Sequence, residues 1–174
     1  MRSYDRILED IQGLLCEELE SDEARGRMEV YRSGATRYHP YDIEKVHHKL
    51  LGKIESYKIY TVDGVYLRLH VDIDFCEGGN PGRYSYVPKD EIWVEDGYGL
   101  QDTLCTLFHE IVECRLMIRD GLDYSHAHDL AAEHELKLRQ RVEKKGISFE
   151  DLEALASKGH ADALQEYKRS FGAP

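Results

Sequence analysis

The stretch that most constrains this chain is LCTLFHEIVECRLM, residues 104–117. Its composition predicts a helix. At about 100° per residue, Leu104, Leu107, Phe108, Ile111, Cys114 and Ile118 fall on the side away from His109. His109 and Glu113 stand one turn apart on a second face, which Cys105, Leu116 and Met117 also make apolar. A helix that is apolar nearly all round is a buried helix. A histidine and two carboxylates inside it are costly unless they are paired or bound to a cation.

The spacing suggests what resolves that conflict. An i, i+4 pair projects two side chains toward one point, as the H-E-x-x-H helix does when it binds zinc. Here the second position is Glu113, and carboxylate oxygen is also a zinc ligand. Glu110 would stand beside the water that such a metal activates, as a general base rather than a ligand. The plainer alternative pairs Glu110 and Glu113 with Arg115 or Arg119 on an ordinary amphipathic helix.

At 174 residues the chain suits a single domain with a real core. Its net charge of −11 argues against nucleic acid or an anionic membrane as partner. No apolar run reaches a membrane span, and the N-terminus lacks a signal-peptide core, so a cytoplasmic protein is expected. Cys16, Cys76, Cys105 and Cys114 form no C-x-x-C pair; the last two read as core residues.

Helical spacing predicts helices over 4–20, 23–32 and 42–52, the last carrying His47 and His48. From Tyr57 the period changes. Residues 57–61 and 65–75 read as a hairpin around Val62-Asp63-Gly64, and the second strand alternates from Val65 to Phe75. The glycine-rich loop from Cys76 to Tyr86 reads as a mobile flap or plain connection. Asp90–Glu95 is a third strand, placed at an edge by Pro88. The motif helix starts after Gly99 and ends at Asp120-Gly121, and a second helix follows from Tyr124 to about Lys144. Two short helices close the chain: Ser148 with Asp151 resembles a capping box, while Gly159 and Gly172 read as stops. His160 reads as a surface residue. The expected organisation is N-terminal helices over 1–53, a metal-binding core over 57–143 and a helical tail over 146–174, all within one domain. The fold class is α+β, with a small, mostly antiparallel sheet packed on the central buried helix.

A turn of about four residues lays the second helix back along the first. His128 then becomes the best third ligand, because Ala131 and Ala132 on its stripe permit close approach. His126 points elsewhere and is the next choice. Glu135 follows on the His128 stripe, as a fourth ligand or as an acceptor for an imidazole N–H.

Strands, an H-E-x-x-[H/E] helix and a helix supplying the third ligand together resemble the zincin metallopeptidase core, most nearly its gluzincin branch. The resemblance covers residues 57–143 and rests on His109-Glu110-x-x-Glu113. In that branch the motif helix gives two histidines and the later helix a glutamate; here the order is exchanged. The wider pattern, Glu91-Ile92-Trp93 before the motif and Tyr124-x-x-Ala127-His128 after it, also resembles small prokaryotic or phage proteins.

The resemblance implies a zinc-dependent hydrolase of metallopeptidase type. His109, Glu113 and His128 would be the ligands and Glu110 the general base, with Tyr124 or His126 donating to the oxyanion. A peptide or protein substrate would add to the Glu91–Glu95 strand. The competing class is a non-catalytic, metal-stabilised interaction module, whose closed site would use Glu135 or His126 as a fourth ligand. A two-metal redox or storage protein ranks last, because paired Glu-x-x-His helices are missing.

Overall fold

Residues 41–143 and 145–172 are described by the computed structural model, so the expected helices at 4–20 and 23–32 lie outside the described residues, as does Cys16. The described chain is α+β. It contains α1 (Ile43–Val46), β1 (His47–Ile54), β2 (Tyr57–Val62), α2 (Gly64–His70), β3 (Gly78–Gly79) and β4 (Glu91–Glu95), followed by α3 (Leu100–Ile118), α4 (Tyr124–Val142) and α5 (Leu152–Phe171). Residues 41–46 and 63–75 belong to one compact unit, and residues 47–62 and 76–172 to another.

In the smaller unit the structure corrects the expected strand at 65–75. Gly64–His70 is helical, and the chain turns from Val71 to Phe75. The apolar residues there satisfy two periods at once. Leu67, Val71 and Phe75 lie four apart and are buried, whereas Ile73 on the supposed strand face is exposed. Asp63 decides between them. Its carboxylate accepts the Tyr66 N–H at 2.8 Å, which caps a helix where the sequence suggested a hairpin turn.

The larger unit holds a mixed sheet in the order β1-β2-β4-β3. The hairpin lies one strand earlier than expected. It joins β1 to β2 around Glu55-Ser56, with Glu55 in the left-handed region at φ 52°. His47–Ile54 therefore form its first strand, where residues 47–52 were expected in a helix. β2 runs parallel to β4, from Lys58↔Glu91 to Val62↔Glu95, so the sheet is mixed rather than simply antiparallel. β4 is interior: β3 pairs with its other side through Gly78↔Val94 and Gly79↔Trp93. All five of its residues are buried. The edge expected at Glu91–Glu95 belongs instead to β3, so strand addition to β4 is blocked where β3 sits.

The central helix α3 packs on β4 and β3 on one side and on α4 and α5 on the others. Thirteen of its 19 residues are buried, in keeping with its all-round apolar composition. Cys105 and Cys114 are buried within the core, and burial pushes the Cys114 thiol up to about 11. Arg115, 2% exposed, donates to Glu55 in the hairpin turn at 2.8 Å, and Arg119 holds the other oxygen of that carboxylate.

The tail is one helix rather than two. Asp151 is its N-cap, without a side-chain cap bond, so only half of the expected capping box forms: the Asp151 carboxylate accepts the Ser148 N–H at 3.0 Å and its hydroxyl at 2.9 Å. Gly159 does not stop it; Gly159 faces the ring of Phe108, where an added Cβ would lie 2.5 Å from Cζ. His160 is half-buried and pairs with Asp120 at 2.5 Å, rather than standing free on the surface. Gly159→Val should therefore lose about 1–3 kcal/mol by overpacking, outweighing the few tenths that valine gains over glycine in helix propensity. Denaturant unfolding would measure this, and unchanged stability would contradict the close approach.

Candidate metal centre

Three elements of the larger unit meet beside α3. The chain leaves that helix through Gly121, at φ 75°, and the Leu122 N–H bonds back to the Leu116 carbonyl at 3.0 Å. Asp123 then caps α4 by accepting the His126 N–H at 3.2 Å. This reversal sets α4 along α3, with Ala127 and Ala131 fully buried between them. Small side chains at those positions let His128 reach the His109–Glu113 face.

The structure brings His109, Glu113 and His128 into one cluster. His109 Nε2 lies 3.2 Å from His128 Nδ1 and 3.4 Å from Glu113 Oε2, and His128 Nδ1 lies 2.9 Å from that same oxygen. These three separations resemble the edges of a tetrahedron. Zinc–ligand bonds of 2.0–2.1 Å at tetrahedral angles would put donor atoms about 3.3 Å apart. The donor set therefore fits a small transition-metal cation.

The outer partners strengthen the fit. His109 Nδ1 lies 3.0 Å from Glu135 Oε2, and Arg139 Nε donates to the other Glu135 oxygen at 2.7 Å. If Nδ1 carries the proton toward Glu135, Nε2 turns a lone pair toward Glu113 and His128. Two acceptors facing each other need a cation between them. Burial pulls the His109 pKa down, but its bonds to Glu113 and Glu135 overcome that and carry it up to about 10. Burial also opposes ionisation of Glu113 and Glu135. Hydrogen bonds from His109 and Asn80 nevertheless hold Glu113 below its ordinary range, and those from His109 and Arg139 do the same for Glu135. The site is built for positive charge, whether a proton or a metal supplies it.

Glu110 stands apart from the donor triangle. Burial, then the charge of Glu113, pushes its carboxyl upward. Its Oε2 accepts from Asn80 Nδ2 at 2.8 Å, and the same amide donates to Glu113 Oε1 at 2.8 Å. Asn80 is fully buried, and its Oδ1 accepts the Gly82 N–H at 3.0 Å. Gly78 lies against Glu110 so closely that a Cβ would come within 2.7 Å of its carboxylate. The expected flap is thus a buried strand and turn that clamps two site carboxylates.

Of the other expected residues, Tyr124 lies beside the cluster, its ring 5.3 Å from that of His128. His126 does not join it. Its Nδ1 lies 2.6 Å from Asp123 Oδ2, and its ring packs on Tyr167 and Phe171 of α5. Glu135 meets the far nitrogen of His109, as an acceptor rather than a member of the donor triangle. Asn80 and Arg139 were missed. Asn-Pro-Gly announces a turn in which asparagine bonds its own backbone, but nothing local reveals where its amide points.

Asn80→Ala would leave the two carboxylates without their shared donor. We expect a stability loss of about 1–3 kcal/mol and metal affinity about 10–100-fold weaker. Calorimetry and metal titration would read these two effects, and no change in either would show that the clamp is idle.

Compared with protein-family models, curated proteins and solved structures, the chain matches none. Among the described residues no helix is long and apolar enough to cross a membrane.

Proposed function

We propose that His109, Glu113 and His128 bind one divalent transition metal, most readily zinc, and that the chain is a metal-dependent hydrolase of peptidase type. One observation carries the choice of hydrolase over structural module. Three donors converge, while the two residues that could close the shell are engaged elsewhere: Glu135 on the far side of His109 and His126 on Asp123. Three protein ligands with an open position are the pattern of catalytic zinc, whereas structural sites use four. The His128 side chain is 44% exposed, which leaves the centre accessible from that side.

When bound, the metal would supply Lewis-acid activation of water and polarisation of a carbonyl. Glu110 then takes the water's proton and returns it to the leaving group. Its upward-shifted carboxyl suits a base working near neutral pH. Asn80 holds that carboxylate in place through Oε2. Tyr124 is the oxyanion donor: burial, then Glu113, raises its pKa and keeps the phenol protonated. A zincin-like arrangement of gluzincin type, with the histidine and glutamate exchanged, is part of this reading. So is a cytoplasmic setting, which suits the buried thiols Cys105 and Cys114.

The test is cleavage of a mixed peptide library, read by mass spectrometry. Glu110→Gln should keep its metal and lose about 10²–10⁴-fold in rate. Cleavage undiminished in Glu110→Gln would exclude this mechanism. No cleavage by the metal-loaded native protein would favour the structural module.

A further inference from the structure

Of the buried or half-buried arginines in the described larger unit, Arg115 and Arg139 hold acids and Arg83 does not. Arg115 and Arg119 share Glu55, and Arg139 binds Glu135 and Asp102. Arg83 has no carboxylate within ion-pair distance among the described residues. Its guanidinium carbon lies 4.1 Å from the Tyr124 ring centroid and 5.1 Å from that of Tyr84. Its Nε is buried without a hydrogen-bond partner. Burial disfavours the charge, and the aromatic faces, a hydrogen bond with Tyr124 and the more distant Glu113 offset that cost without placing a carboxylate on the guanidinium.

Its place in the site is fixed from two directions. The Arg83 N–H bonds to both oxygens of Asn80, at 3.1 and 3.2 Å, and that residue's amide holds Glu110 and Glu113. The Tyr124 ring beneath the guanidinium is also the ring beside His128. Arg83 thus stands one aromatic ring from the candidate ligands. Around it the site is anionic, with Glu110, Glu113 and Glu135, and the whole chain carries −11. Beyond the metal itself, a substrate anion approaching this centre finds one guanidinium with no carboxylate on it, because Arg139 is taken up by Glu135 and Asp102. Its planar fork suits a carboxylate through two parallel N–H···O bonds.

We propose that Arg83 is the receptor for a substrate carboxylate close to the bond being cut, so that the site takes peptides at their free C-terminal residue. This inference rests on the hydrolase reading of the same centre. Arg83 is a specificity determinant, and Asn80 and Tyr124 hold it in place.

The test uses N-acetyl-alanyl-phenylalanine and its C-terminal amide, titrated by NMR into full-length protein with and without zinc. The free acid should bind at least about tenfold tighter than the amide, as a charged hydrogen-bond pair requires. In Arg83→Gln that preference should vanish while zinc stoichiometry stays unchanged; Arg83→Lys should keep part of it. Equal binding of acid and amide, no saturable binding of either, or a preference that survives in Arg83→Gln would overturn the assignment. Inorganic phosphate displacing the acid at lower concentration than acetate does would overturn the choice of a carboxylate. Acid-selective binding without cleavage would uphold Arg83 and sink the hydrolase reading. Cleavage indifferent to the terminal group would do the reverse.

Discussion

Glu113→Gln should weaken metal binding by more than 100-fold, Glu135→Gln by about 10–100-fold, and His126→Ala not at all. The gradient follows from position. Glu113 Oε2 is a corner of the donor triangle, 2.9 Å from His128 Nδ1 and 3.4 Å from His109 Nε2. An amide there loses the anion that balances the metal's charge. Glu135 touches only the far nitrogen of His109, and loss of such an orienting partner typically costs 10–100-fold. His126 is engaged with Asp123, Tyr167 and Phe171 and contributes no donor. Competition titration against a chromophoric chelator would rank the three. Weakening by His126→Ala equal to that by Glu113→Gln would mean that the ligand set is wrong.

Metal should also remove the loss of stability that His109 imposes on the metal-free protein at alkaline pH. In the metal-free protein His109 has a folded pKa of about 10, above its ordinary 6.5. The stability this contributes is fully present below pH 6.5 and is lost as pH rises through about 10. Glu110, pushed up by burial, acts in the same direction. Glu113 and Glu135 are held low, so their contribution is present above about pH 4.5 and is lost as pH falls further. The metal-free protein should therefore be most stable near pH 5 and soften from there toward pH 10. Metal requires His109 without its Nε2 proton, so binding releases a proton and tightens about tenfold per pH unit through the neutral range. Melting curves from pH 5 to 9, with and without zinc, should diverge as pH rises. Parallel curves would mean that the ion does not compete with the His109 proton.

The sequence carried this site unevenly, and the reasons are physical. His109 and Glu113 share a helix, where one turn fixes their relation. His128 follows from a short reversal, which leaves α4 few ways to lie on α3. His126 parts from His128 because residues two apart on a helix face different ways, and Glu135 recurs seven residues on, along the same stripe. Asn80 and Arg83 gave no such signal. Their roles come from distant contacts, Asn80 with Glu110 and Glu113 and Arg83 with Tyr124, which no local pattern announces. The strand read at 65–75 failed because its apolar residues fit both a two-residue and a four-residue period, and the Asp63 cap selected the helix. Residues 47–52 alone suit a helix; pairing with β2 is what makes β1 a strand. Gly159 looked like a stop because close approach to Phe108 is invisible without the neighbouring helix.

The most direct test of the central claim is elemental analysis of protein purified without added metal, followed by zinc titration of the native chain, His109→Ala and His128→Ala. The native protein should carry or take up one equivalent of a divalent transition metal, and each variant should lose it while remaining folded by circular dichroism. Stoichiometric metal retained in both variants would contradict the site. Failure of the native protein to bind any transition metal would mean that the His109–Glu113–His128 cluster is a protonated hydrogen-bond network and nothing more.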